Sequence, residues 1–212
     1  MEFTDVVRRR RMVRRFTDQA VPAELLDRVV DAGQRAPSAG FTQGWAFLVL
    51  TRPDAVSRFW TVTSRSSDEP DPGGRRSGMR TAPVIIIPLA NKAAYLARYA
   101  EPDKAHLGLT DEGAWPVPYW DIDTGFATMA MLLAATDAGL GAVFFGLFHR
   151  LGERRLLTEL GVPGSYRALG ALALGWPAPD DHRSPSLARG RRDGREVVHF
   201  GRWGGVRATS DA

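Results

Sequence analysis

The chain of 212 residues contains no cysteine. That excludes a disulfide framework, a thiolate nucleophile and a zinc–thiolate site. Histidine is scarce. His106, His149, His182 and His199 stand apart, with no paired ligand spacing such as HExxH, so no metal site is expected. No uncharged apolar run is long enough to span a bilayer. The N-terminus lacks an apolar signal core, because its arginine run leads into the polar Thr17-Asp18-Gln19. These absences point to a cytoplasmic protein without a membrane partner. No internal repeat is visible. With 44% hydrophobic and 25% charged residues the composition is that of a soluble globular protein. At this length a single domain, 1–212, is the expectation.

Positive charge is what the chain has in excess. The net charge is +4, and the arginines are clustered: Arg8 to Arg11 with Arg14 and Arg15, then Arg189, Arg191, Arg192 and Arg195. Clustered arginine suits phosphate binding of any kind, since a guanidinium fork gives two parallel charged hydrogen bonds. A solvated basic face is the alternative. No recognition helix, zinc motif or RNA platform accompanies these residues, so nucleic acid is not expected as a partner.

Along the chain, Phe3 to Arg11 reads as a short helix with Phe3, Val6 and Val7 on its inner face. A second helix starts at Val21-Pro22-Ala23-Glu24 and ends before Pro37, because the residue preceding proline disfavours helix. Trp45 to Leu50 is a strand, Pro53 to about Val62 a helix, and Ser64 to Gly78 a polar surface loop. Pro83 to Leu89 is a buried strand with Pro88 near its end. Tyr99 to Tyr119 is irregular and carries bulky rings. Leu151 to Leu160 is an amphipathic helix ending at Gly161. Tyr166 to Leu174 is a strand, Gly175-Trp176-Pro177 a break, and Glu196 to Phe200 a last short strand. Strands interspersed with helices give an α+β or α/β layered domain.

Between Tyr119 and Gly146 lies the most apolar part of the sequence. Phe126 to Ala135 has no charge and is apolar on every side of a helical wheel, the mark of a buried helix. Asp121 or Asp123 is placed to cap its first turn, and Gly139 to end it. Ala142 to Phe145 then reads as a strand closed by Gly146. One chain of this size rarely wraps a helix on all sides, so a second copy is the expected partner, giving a homodimer.

Three stretches suit one anion site. Arg10-Arg11-Met12-Val13-Arg14 offers converging guanidinium groups. Pro37-Ser38-Ala39-Gly40 offers small side chains that let a flat ligand approach the backbone. His199-Phe200-Gly201-Arg202-Trp203 offers a late arginine.

In this order the motifs resemble those of the FMN-dependent nitroreductases. That family opens with R-R-S-V-R-x-F, and Arg10-Arg11-Met12-Val13-Arg14-Arg15-Phe16 stands in that place. A motif like A-P-S-A-x-N-x-Q-x-W follows a proline-containing helix, matched by Ala36 to Trp45. The central helix ends in Gly139-Leu140-Gly141, a strand ends in Gly146, and Gly175-Trp176-Pro177 follows the last core strand. The resemblance implies a homodimer with a mixed sheet flanked by helices and FMN at the dimer interface. It implies that Arg10, Arg11, Met12 and Arg14 hold the phosphate and ribityl chain, and that Arg202 closes that site. It places Pro37, Ser38, Ala39 and Gln43 along the FMN, this loop being supplied by the opposite subunit, and Phe145 and Gly146 by the flavin ring, with a backbone N–H facing N5. NAD(P)H is the implied reductant and a nitroaromatic, quinone or related small molecule the acceptor. No catalytic side chain is required, because the flavin carries the redox chemistry. Trp115, Tyr119 and Trp120 are either a lid over the substrate or packing for the core. Two positions depart from the pattern: Met12 replaces a serine, removing a hydrogen bond worth about 1 kcal/mol, and Phe41 replaces an asparagine.

Overall fold

Val84-Ile85-Ile86-Ile87 has no polar face, so both of its sides must be covered. In the computed structural model, which describes residues 1–63, 75–147 and 150–207, these residues open β2 (Val84–Ala90), buried along its whole length. Successive side chains of a strand point to opposite faces. Ile85 and Ile87 pack with Phe59, Trp60, Leu156 and Leu157, whereas Val84 and Ile86 pack with Val29, Met131 and Leu132. The first layer comes from α3 (Pro53–Thr63) and α7 (Arg150–Glu159), the second from α2 (Ala23–Gln34) and α6 (Tyr119–Asp137). A sheet thus lies between two helical layers.

The sheet runs β1 (Trp45–Leu50), β2, β5 (Ala171–Gly175), β3 (Gly141–Phe145), and β4 (Arg167–Ala168) also pairs with β2. Every pairing between these strands is antiparallel, in registers such as Trp45 opposite Ala90, Val84 opposite Leu174 and Phe145 opposite Ala171. Among the described residues the parallel contribution to the mixed sheet is a single bridge, Met12 to Ala142. The expected strand at Tyr166 to Leu174 is broken at Leu169-Gly170. Pro88 does not end β2, and the break explains why. Its carbonyl accepts the Leu169 N–H at 2.9 Å. A strand residue's N–H and C=O face the same neighbour, so the donor that proline lacks falls opposite the gap between β4 and β5.

Other boundaries shift for local reasons. The first helix, α1 (Phe3–Arg9), buries Val6 alone; Phe3 and Val7 face outward. Residues 64–74 of the expected surface loop lie outside the described residues, and Arg75–Arg80 forms α4. Lys92–Tyr99 forms α5. Neither Asp121 nor Asp123 caps α6. Pro118 is the N-cap, with no side-chain bond, and Asp123 is buried one turn inside the helix. Gly139 and Gly161 do terminate their helices, at φ 78° and 71°.

The chain divides into two compact units, Met1–His182 and Arg183–Ala212. The sheet and α1 to α7 belong to the first. The second has a 3-10 turn at Pro185–Arg189 and α8 (Gly194–Val197) in place of the expected strand at Glu196 to Phe200. Asp193 caps α8 by accepting the Arg195 N–H, and that cap selects helix over strand. Residues 199–205 close on themselves. Phe200 N–H donates to Gly205 O at 2.9 Å, and Arg202 stands exposed on this turn.

Candidate functional site

The arginine stretch lies against the start of β3. Val13 N–H donates to Ala142 O at 3.0 Å, and Phe16 bridges Pro177. Gly141 permits this approach, since a Cβ there would lie 2.8 Å from Val13 Cγ1. On the other flank α4 closes in at Gly78, where a Cβ would meet Arg14 O at 2.5 Å. Met12 packs its side chain against both apolar layers. The residue that departs from the family pattern therefore serves the core.

The arginines of this stretch are not equivalent. Arg11 pairs with Asp181, whose side chain is 1% exposed. Asp181 also accepts the N–H groups of Arg14 and Arg15, each at 2.9 Å. Arg15 pairs with Asp180 at 2.6 Å. Arg14 Nη1 folds back onto Met12 O at 3.3 Å. Arg10 is half-buried, and its guanidinium makes no hydrogen bond or ion pair among the described residues.

The small-residue loop sits elsewhere. It leads into Trp45, opposite Ala90, so it lies at the end of the sheet where β2 finishes. The arginine stretch lies where β3 begins, beside the start of β2. Seven residues of β2 at about 3.4 Å each separate those ends by roughly 20 Å. Within one chain the structure does not bring the arginines and this loop together.

The loop is strained and firmly held. Gly40, Phe41 and Gln43 have φ of 62°, 53° and 51°. Positive φ is rare for residues other than glycine, and it concentrates at ligand clamps. Asp123, 2% exposed, accepts the Ala39 N–H at 2.8 Å and the Tyr95 hydroxyl at 2.7 Å. Burial first, and the Asp123 bond second, push the Tyr95 hydroxyl well above its ordinary range. Ser38 Oγ accepts the Gln43 N–H at 2.9 Å, and Arg98 Nε donates to Gly40 O at 3.0 Å. Pro37 and Gln43 stay exposed.

Packing prevails for two of the three candidate lid residues. Trp115 and Trp120 are 8% and 5% exposed, in a cluster with Tyr95 and Tyr99. Trp115 meets Tyr99 edge-on at 4.7 Å between centroids, and its Nε1 donates to Leu109 O at 2.9 Å. Only Tyr119 is half-buried. Trp120 and Tyr119 open α6, so the irregular segment ends at Pro118.

Phe145 also turns inward. Its ring stacks on Trp60 at 5.4 Å and 10°, leaving its backbone and Gly146 as what this strand end presents. Near the end of β2 a cleft of about 440 Å³ opens, lined by residues including Lys92, Glu112, Trp120, Asp121 and Arg167. Its charges are matched, Lys92 with Glu112 and Arg167 with Asp121. Among the described residues no helix is long and apolar enough to cross a membrane, and no cluster of His, Asp and Glu could hold a metal.

Sequence reasoning missed Asp181, Arg98 and the role of Asp123. Each acts on backbone 58 to 167 residues away, and no local pattern signals such a bond.

The sequence profile of the nitroreductase family matches residues 7–176. The chain belongs to the nitroreductase family. It is 28% identical over 183 residues to a Methanothermobacter thermautotrophicus protein provisionally named NADH dehydrogenase/NAD(P)H nitroreductase, covering 84% of this chain and 78% of that one. It is also 28% identical over 207 residues to iodotyrosine deiodinase 1 of Sus scrofa, covering 87% and 66%. A provisionally named nitroreductase of Desulfovibrio desulfuricans, solved in complex with FMN, superposes with a TM-score of 0.65 at 26% identity, over 93% of this chain and 95% of that one. The α+β fold is that of the nitroreductases.

Proposed function

We propose that this nitroreductase-family protein is a cytoplasmic FMN-dependent oxidoreductase. It takes hydride from NADH or NADPH and passes electrons to a nitroaromatic, quinone or related acceptor. The observation that carries the reading is the arginine stretch held against the start of β3. Arg10 and Arg14 flank the beginning of a strand whose far end presents the backbone of Gly146. Four residues of strand, about 14 Å, separate a phosphate-binding end from a ring-binding end. The residues fit the cofactor: guanidinium groups for the phosphate, a glycine backbone at the ring, and no side chain that must act as nucleophile. FMN, when bound, supplies two-electron redox chemistry. The chain holds it, orients it and limits access to one face.

The reading requires a homodimer. Pro37, Ser38, Ala39 and Gln43 lie at the wrong end of the sheet to meet Arg10 of their own chain, so a second copy supplies them. Ile122, Phe126, Met129 and Leu133 follow helical spacing along the outer side of α6, and Phe126 and Met129 are 50% and 42% exposed. Phe3 and Val7 on α1 are exposed as well. A patch of this kind marks an interface. The segment before Pro118, held by the Trp115 cluster, covers the shared site, with Tyr119 at its edge.

One flat molecule at a time then fits over the exposed flavin face, and reductant and acceptor alternate in ping-pong order. Anaerobic stopped-flow tests this: bleaching of the flavin absorbance by NADH or NADPH, then recovery on adding a quinone or nitroaromatic. A fully loaded protein that neither nicotinamide bleaches would reject the assignment. Similarity to iodotyrosine deiodinases supports a second reading, reductive dehalogenation of an aromatic, and halide release in the same assay distinguishes it. A protein that holds flavin or deazaflavin without turnover, or that destroys flavin, is the remaining alternative.

A further inference from the structure

Asp181 has no place in the flavin reading as it stands, yet it is the most heavily bonded side chain beside the arginine stretch. One oxygen accepts the N–H groups of Arg14 and Arg15 at 2.9 Å each, and the other pairs with the Arg11 guanidinium. Its side chain is 1% exposed, against 33% for Arg11. Contacts such as Val13 on Ala142 and Arg14 O against Gly78 set where the chain lies. The bonds to Asp181 set how the peptide planes of Arg14 and Arg15 are turned. That rotation decides where the Arg14 side chain leaves the backbone.

A buried carboxylate so close to a phosphate would repel it unless its charge were matched. Arg11 provides the match, and in doing so its guanidinium is engaged. Arg10 makes no such bond among the described residues. We propose that Asp181 is a positioning residue for the phosphate-binding stretch, and that Arg11 is its counter-ion and not a phosphate ligand. This rests on the flavin reading and sharpens it: of the two adjacent arginines, only Arg10 faces phosphate.

The test compares FMN with riboflavin, which lacks the phosphate, by fluorescence titration of apoprotein. Asp181→Ala is expected to weaken FMN at least tenfold and riboflavin less than threefold. The double variant Arg11→Gln/Asp181→Asn removes both charges but keeps an oxygen for the two N–H groups. It is expected to bind both flavins within threefold of wild type. A selective tenfold loss of FMN in the double variant would make Arg11 a phosphate ligand and overturn the proposal. So would Asp181→Ala weakening both flavins alike, or neither. If Asp181→Ala gives no soluble protein, Asp181→Glu, which displaces the carboxylate by one methylene, is read in the same way. Wild-type protein that takes up neither flavin overturns the cofactor reading itself, a result that no variant arm can produce.

Discussion

Two stretches of backbone at opposite ends of the sheet are each fixed by one buried aspartate, and they differ in what is being fixed. At Arg11 to Arg15 the carboxylate of Asp181 holds two main-chain N–H groups and a guanidinium. The stretch has no positive φ, so it needs charge matching more than restraint. At Ala36 to Gly44 the carboxylate of Asp123 holds one N–H and the Tyr95 hydroxyl, and the loop carries three positive φ angles. Here restraint is the need: a strained loop persists only where its surroundings over-determine it. The same side chain thus answers an electrostatic problem at one end and a conformational one at the other.

The comparison matters for function only if the two stretches meet, which is what the proposed dimer would bring about. The largest effect is therefore expected from Phe126→Glu on the outer face of α6. Both clamps should survive, with circular dichroism unchanged, but a charge in an apolar interface should leave a monomer that retains no flavin. An interface above about 2,000 Å² is expected for the wild type. Sedimentation velocity with absorbance at flavin wavelengths reads both properties at once. A dimer that persists in the variant moves the interface elsewhere.

Next comes the clamp at the strained loop. Asp123→Ala leaves the Ala39 N–H and the Tyr95 hydroxyl without partners. Each unsatisfied buried donor costs about 1–3 kcal/mol, so a loss of roughly 2–6 kcal/mol is expected. For a chain of this length that lowers Tm by about 5–15 °C. Asp123→Asn keeps an oxygen for both donors and should cost less than half as much. Asp181→Ala should cost less than Asp123→Ala, because Arg14 and Arg15 are only half-buried and water can take over their N–H groups. Equal losses at the two aspartates would erase the distinction between charge matching and restraint.

Much of this architecture is legible in the residues, and the reasons can be named. Val84 to Ile87 has no polar face, so a strand covered on both sides is the only fit. Phe126 to Ala135 points to burial, and the outer stripe of α6 supports a second copy as what completes it. The clamps are hidden for a physical reason. An aspartate in sequence looks like a surface residue, and almost all are. Asp123 reads as a helix cap because it lies near a helix start. Its buried position one turn further in depends on where Pro118 sets the first residue, a boundary that periodicity does not fix. Trp115 and Trp120 look like a lid because they fall in or beside an irregular segment. Their true partners, Tyr95 and Tyr99, lie on a helix that the sequence pattern leaves unassigned.

The pair at the strained loop should also show in alkali. Burial and the Asp123 contact hold the Tyr95 hydroxyl above its ordinary value of 10.0. In the unfolded chain it ionises near that value. A group with a raised pKa contributes stability that is complete below the unfolded value and declines as pH rises beyond it. Wild type should therefore lose up to about 1.4 kcal/mol per pH unit above pH 10 from this one group. Tyr95→Phe starts less stable but should lack that component of the slope. Urea unfolding between pH 9 and 11 measures the difference; parallel slopes would show that the hydroxyl ionises as readily in the fold as outside it.

The smallest effect asks whether the strain in the loop serves the ligand. Gln43 has φ 51° and is exposed, so its side chain does nothing visible for the fold. Its N–H bond to Ser38 Oγ is a backbone bond that glycine keeps. Left-handed backbone costs a residue with a Cβ about 1–2 kcal/mol. Glycine removes that cost but widens the unfolded ensemble, which offsets about 0.4–1 kcal/mol. Gln43→Gly should therefore stabilise the protein by a net of roughly 0.5–1 kcal/mol, or about 1–4 °C in Tm. If glutamine is there for the flavin, the same variant should bind FMN more weakly, by about threefold to tenfold for one lost hydrogen bond. A gain in Tm with unchanged FMN affinity would detach the strain from the cofactor. A loss of stability would mean that the glutamine side chain itself holds the turn, and the contrast with the unstrained arginine stretch would then rest on Gly40 and Phe41 alone.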